Sequence, residues 1–128
     1  MFHYTVETKK TPEQAINAVI DSLKSEKFGV LWQVDMKEKL LEKGVEFDRI
    51  YHILEVCNPI EAKRVVSVSP LAGYFLPCKV AVYEENGVTK VGIPRPTALI
   101  GLMESEQLMD IAAEIENRLI ECIKKVAD

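Results

Sequence analysis

The eighteen residues LPCKVAVYEENGVTKVGI, positions 76–93, constrain the fold of this chain more than any other stretch. Asn-Gly is the favoured pair for a two-residue hairpin turn, because both turn positions need a positive φ. Such a turn at Asn86-Gly87 sets Glu85 opposite Val88. Counting outward sets Val82 opposite Val91 and Val80 opposite Ile93. Side chains alternate along a strand, so these four apolar residues share one face, while Lys79, Ala81 and Tyr83 take the other. Cys78 has the parity of Val80, and the same count brings Arg95 near Cys78 unless Pro94 breaks the ladder. A lone hairpin is marginal in water. The rest of the chain must therefore add strands and cover the apolar face.

The local signals supply both. Residues 2–8 read as a strand, rich in aromatic and β-branched residues. Thr11, Pro12 and Gln14 then form a helix start, with Ala15, Ile16, Val19, Ile20 and Leu23 as one apolar stripe. Residues 30–34 read as a short strand, followed by a short helix framed by Asp35 and Glu38 and stopped by Gly44. Residues 47–57 are the longest strand expected. Asn58-Pro59 repeats the helix-start pattern for a helix over 59–66. Residues 94–103 read as a loop whose stretch ALIGLM suits a lid, a subunit contact or a segment tucked on the sheet. A long final helix buries Leu108, Ile111, Ile115, Leu119, Cys122 and Ile123 on one side. The order is β-α-β-α-β-α-β-β-α. It predicts one α+β domain over residues 1–128, a mixed β-sheet with helices mainly on one face. The uncovered face calls for a partner, and a homodimer by isologous contact is expected.

At 128 residues the chain suffices for one core. The formal net charge of −4 and the lack of any dense Lys/Arg run disfavour nucleic-acid partners. No apolar run reaches the length of a membrane span, so no membrane partner is expected. The start MFHYTVETKK lacks the pattern of a secretion signal. With three cysteines, an odd number, that favours a reducing compartment, and a cytoplasmic location is expected.

YHILEVCNPIEAKRVV followed by LPCKVAVYEENG resembles the family known as domain of unknown function 302. The motifs that carry the resemblance are Cys57-Asn58-Pro59, Ala62 and Leu76-Pro77-Cys78 with its hairpin. The resemblance implies a compact α+β domain of the bacterial and archaeal cytoplasm and a dimer. It implies no activity.

The residues themselves leave three readings open. Cys57 ends a strand just before the Asn58 helix start, where unpaired N–H groups and the helix dipole favour an anion or a reactive thiol. Cys78 starts the hairpin strand, and Arg95 beside it would supply a cation. The first reading is a small-ligand or anion site formed by Cys57, Asn58, Cys78 and Arg95. The second is a thiol-dependent enzyme or sulfur carrier using Cys57 and Cys78. The third is a structural or interaction module in which both cysteines are small buried hydrophobes. Cys122 is read as core.

Other chemistry is weakly supported. His3, His52, Cys57 and Cys78 have no recognised ligand spacing, so no metal is expected, and no cofactor is indicated. Glu84, Glu85, Glu104, Glu106 and Asp110 sit where turns and a helix start explain them. There is no Gly-rich phosphate loop and no Gly-x-Ser-x-Gly. Trp32 and Tyr74 are read as pocket or core residues.

Overall fold

The Asn86-Gly87 turn has both residues at positive φ, 53° and 79°. It joins β4 (Cys78–Glu85) to β5 (Val88–Pro94), with Glu85 opposite Val88 and Val82 opposite Val91, as the hairpin count requires. The computed structural model describes all 128 residues, Met1–Asp128. Three more strands complete the sheet: β1 (His3–Thr8), β2 (Gly29–Asp35) and β3 (Tyr51–Cys57). Their spatial order is β1-β5-β4-β3-β2.

The class is α+β, with helices on one side of the sheet. The expected mixing of strand directions is corrected: all four pairings are antiparallel. Alternation of strands and helices suggested parallel neighbours. In fact β1 and β2 do run parallel, but they lie at opposite edges, and the hairpin and β3 fill the space between them with antiparallel strands. β3 is also shorter than expected. Tyr51 pairs with Tyr83 near the end of β4, so residues 47–50 lie beside the hairpin turn, with little strand left to pair.

Helix α1 (Pro12–Lys24) starts on a complete capping box between Thr11 and Gln14. Helix α2 (Met36–Glu42) buries no residue, and Gly44 beyond it takes φ 77°. Helix α3 (Pro59–Val68) runs into a 3-10 turn over Pro70–Phe75. The segment expected to be a loop folds as a one-turn helix, α4 (Pro96–Ile100), and a further 3-10 turn over Gly101–Met103. Helix α5 (Glu106–Ala127) buries the whole predicted stripe, including Cys122 at 1% exposure. Its Leu119 and Ile123 pack with Leu23 of α1 and with Leu54, Val80 and Val91 of the sheet in a single core.

The opposite face carries no helix of its own. Tyr51 and Tyr83 stack there at 5.0 Å, close to Ile53 and Ala81. Trp32 also lies on this side and is 62% exposed, which corrects the expectation of a core or pocket Trp. The cause is a bulge between Val30 and Trp32. Val30 pairs with Val56 on the core side, Leu31 is skipped, and Trp32 pairs with Glu55 on the other side. An extra residue inverts the alternation beyond it. Tyr74, in the first 3-10 turn, is 83% exposed and lines neither of the two principal pockets.

Candidate functional site

β3 delivers Cys57 to the end of the sheet, and the last ladder pair, Val56 with Cys78, sets the start of β4 beside it. Between them the chain makes α3 and the 3-10 turn and returns through a cis Leu76–Pro77 peptide. This returning loop, α3, α4 and α5 line a partly open cavity of about 100 Å³. Cys57 and Cys78 both line it, with Val56, Phe75, Leu99 and Ile115 among the apolar residues of its wall. Most of the wall is hydrocarbon. A second, more open groove of about 370 Å³ runs over the helix-free face between Phe2, His3 and Tyr83.

Both cysteines are free thiols and half-buried, whereas Cys122 is buried in the core against Ser22. Burial first, and the neighbouring Cys57 second, push the Cys78 thiol up to about 11. Cys78 is therefore a neutral thiol at physiological pH. It is a proton donor and a weak nucleophile.

Asn58 is buried and lines the same cavity. Its side-chain oxygen accepts from the N–H groups of Ile60 and Glu61 at 3.1 and 3.2 Å, and its amide donates to the Glu26 carbonyl. The Ala62 N–H is taken by the Asn58 carbonyl, and Pro59 has none. No first-turn donor of α3 is left for an anion. The anion form of the ligand reading thus loses its physical basis.

Arg95 is not beside Cys78. The β4–β5 ladder stops at Ala81 and Gly92. The Arg95 N–H bonds to Phe2 on the β1 side, and its guanidinium pairs with Glu116 at 3.1 Å and donates to the Met1 carbonyl. Pro94 carries no N–H to continue the β4 ladder, and Arg95 turns away to start α4. Glu116, 5% exposed, also accepts from the Thr97 N–H and hydroxyl, at 3.0 and 2.6 Å. This carboxylate holds α4, and with it Leu99 and Ile100, against α5 as one wall of the cavity.

Residue-level reading missed the charged end of the cavity. Glu61 is 6% exposed and lines it. Arg64 donates to both its oxygens at 3.0 and 3.1 Å, and Arg118 lies 3.6 Å away. Arg118 also holds the Glu26 side chain and carbonyl and sits 5.3 Å above the Phe28 ring. The Glu61–Arg64 pair was visible as an i,i+3 spacing. Nothing local pointed to Arg118, which reaches Glu26 across 92 positions.

His3 bonds to Thr5 on β1, and two strands lie between it and His52 on β3. No group of three or more His, Cys, Asp or Glu side chains is placed to hold a metal ion. No helix is long and apolar enough to cross a membrane.

The family model for the domain of unknown function DUF302 matches residues 4–126. The chain belongs to the DUF302 family. The crystal structure of an uncharacterized conserved DUF302 protein from Bacillus stearothermophilus is 52% identical, with a TM-score of 0.95 over 98% of each chain. No curated protein matches. The DUF302 resemblance read from Cys57-Asn58-Pro59 and Leu76-Pro77-Cys78 is thereby confirmed, and those two motifs form adjacent walls of one cavity.

Proposed function

We propose that this DUF302 domain binds a small, largely apolar molecule in the cavity between α3, α4 and the end of the sheet. The observation that supports this reading is a cavity with a mostly hydrocarbon wall and a few polar residues in its lining: Cys57, Cys78, Asn58, Glu61 and Lys79. Concave, mostly apolar pockets with a few polar groups are the usual form of a small-molecule site. An apolar cavity of roughly 150 Å³ is known to stay dry and take up benzene, and this one is of that order. Six buried carbon atoms gain about 5 kcal/mol at ~0.8 kcal/mol each. A ligand confined to the cavity then binds with a Kd on the order of 0.1–1 mM. Tighter binding requires a polar end that reaches the thiols or Lys79.

Benzene and short-chain alcohols serve as probes. Titration followed by backbone amide NMR is expected to shift Cys57, Ala62, Cys78 and Leu99 together, with saturation. Ala62→Leu, which fills the cavity, is expected to abolish those shifts while the melting temperature is kept. Absence of saturable shifts in the parent protein rejects the reading.

The thiol-chemistry reading rests on a specific observation of its own, the two cysteines on one wall. The cation expected for it, Arg95, is engaged elsewhere. We further propose that two copies pair through the helix-free face. There Glu7, Glu55 and Glu85 are matched by Arg49, Lys79 and Lys90 within the chain. On a chain of net charge −4, that neutral face is the one two copies can share with least repulsion.

A further inference from the structure

Cys57 and Cys78 stand in a relation that the sequence did not show. Val56 and Cys78 are ladder partners, and Cys57 is the next residue along β3. Ladder partners lie roughly 5 Å apart and each residue advances about 3.4 Å, so the Cys57 and Cys78 Cα atoms are roughly 6 Å apart. Disulfides span about 4.4–6.8 Å between Cα atoms. In a regular strand, successive side chains point to opposite faces, which would separate the sulfurs. Here β3 ends at Cys57 and the chain turns into Asn58, and both cysteines line the same cavity.

We infer that Cys57 and Cys78 form a reversible dithiol–disulfide couple that closes the wall of the cavity. The oxidant is a small peroxide. The Cys57 thiolate attacks one peroxide oxygen and the O–O bond breaks. Cys57 becomes a sulfenic acid, and hydroxide leaves to become water. The Cys78 thiol then displaces hydroxide from that sulfur, the S–S bond forms and a second water leaves. With hydrogen peroxide, two thiols and one peroxide give one disulfide and two waters. Cys57 is the attacking sulfur, because Cys78 stays protonated and is the weaker nucleophile. The bond would join the two ends of the twenty-residue segment that carries α3 and the 3-10 turn. It would pin the end of β3 to the start of β4, where they border the cavity.

This inference stands on ladder geometry and does not need the ligand reading to hold. The native full-length chain, reduced and then exposed to equimolar hydrogen peroxide, is expected to lose two hydrogen atoms by intact mass. Peptide mapping without reductant is expected to join the Cys57 peptide to the Cys78 peptide, and dithiothreitol is expected to reverse both. Cys57→Ser and Cys78→Ser are each expected to lose this product, and Cys122→Ser to keep it. Oxygen addition to Cys57 with no Cys57–Cys78 link overturns the inference. So do exclusively intermolecular disulfides, or thiols that react only after unfolding. The readout is a mass, so a failure of benzene binding leaves this test intact, and the reverse also holds.

Discussion

Single side chains decide how the site is held. Asn58 shows how a residue that signals a binding site in sequence can be consumed by structure: its oxygen and amide are both spent on the Ile60, Glu61 and Glu26 backbone. Glu116 is the opposite case, an unremarked residue of an amphipathic helix that latches α4. Burial opposes its charge, but the Thr97 hydrogen bonds and then Arg95 outweigh burial and hold the carboxyl below the usual glutamate value of 4.5. A depressed folded pKa contributes stability that is complete above the unfolded value and lost as pH falls through the folded one. The parent protein is therefore expected to lose this share of stability below about pH 4.5. Glu116→Gln should be less stable at pH 7 by about 1–3 kcal/mol, and its stability should fall less steeply in acid. Urea titrations from pH 7 to pH 3 check both statements. The cysteines themselves were legible as a pair of interest because each lies where a strand meets a turn. Arg95 was misplaced because a ladder count assumes that the ladder continues past Pro94.

Secondary elements were read well where their signals are local. Caps, the Asn-Gly turn and the α5 stripe involve residues within a few positions of one another, and all formed. The β2 bulge was not legible, because skipping Leu31 brings its benefit only against β3. Close packing between β1 and β5 makes another demand that only the paired strands disclose. A Cβ on Gly92 would lie 2.7 Å from the Thr5 hydroxyl oxygen and 3.4 Å from its Cβ. Threonine is stiff at χ1 and cannot swing clear cheaply. Gly92→Ala is expected to destabilise the protein by about 1–3 kcal/mol. Adding Thr5→Ala in that background should recover most of the loss. A double-mutant cycle from urea melts measures the coupling, and additive effects would show that the contact is not the cause.

The whole molecule is a helix layer on one face of a five-stranded antiparallel sheet, with its other face bare of helices. Trp32 is the one tryptophan and lies on that bare face, so its fluorescence reports pairing of two copies. Sedimentation equilibrium is expected to give a dimer, with Trp32 emission moving to shorter wavelength as concentration rises. Trp32→Glu is expected to leave monomers with an unchanged far-UV spectrum. A monomer at hundred-micromolar concentration would refute the pairing. From the sequence alone came every strand, four of the five α-helices, their apolar faces, the hairpin register and the family, because turn chemistry, capping and periodicity are settled between near neighbours in the chain. Strand order, the inverted Trp32, the cavity that unites Cys57 with Cys78, and the Glu26–Arg118 and Arg95–Glu116 pairs waited on the tertiary structure. Each depends on which distant surfaces meet, and that is decided by burying one common core.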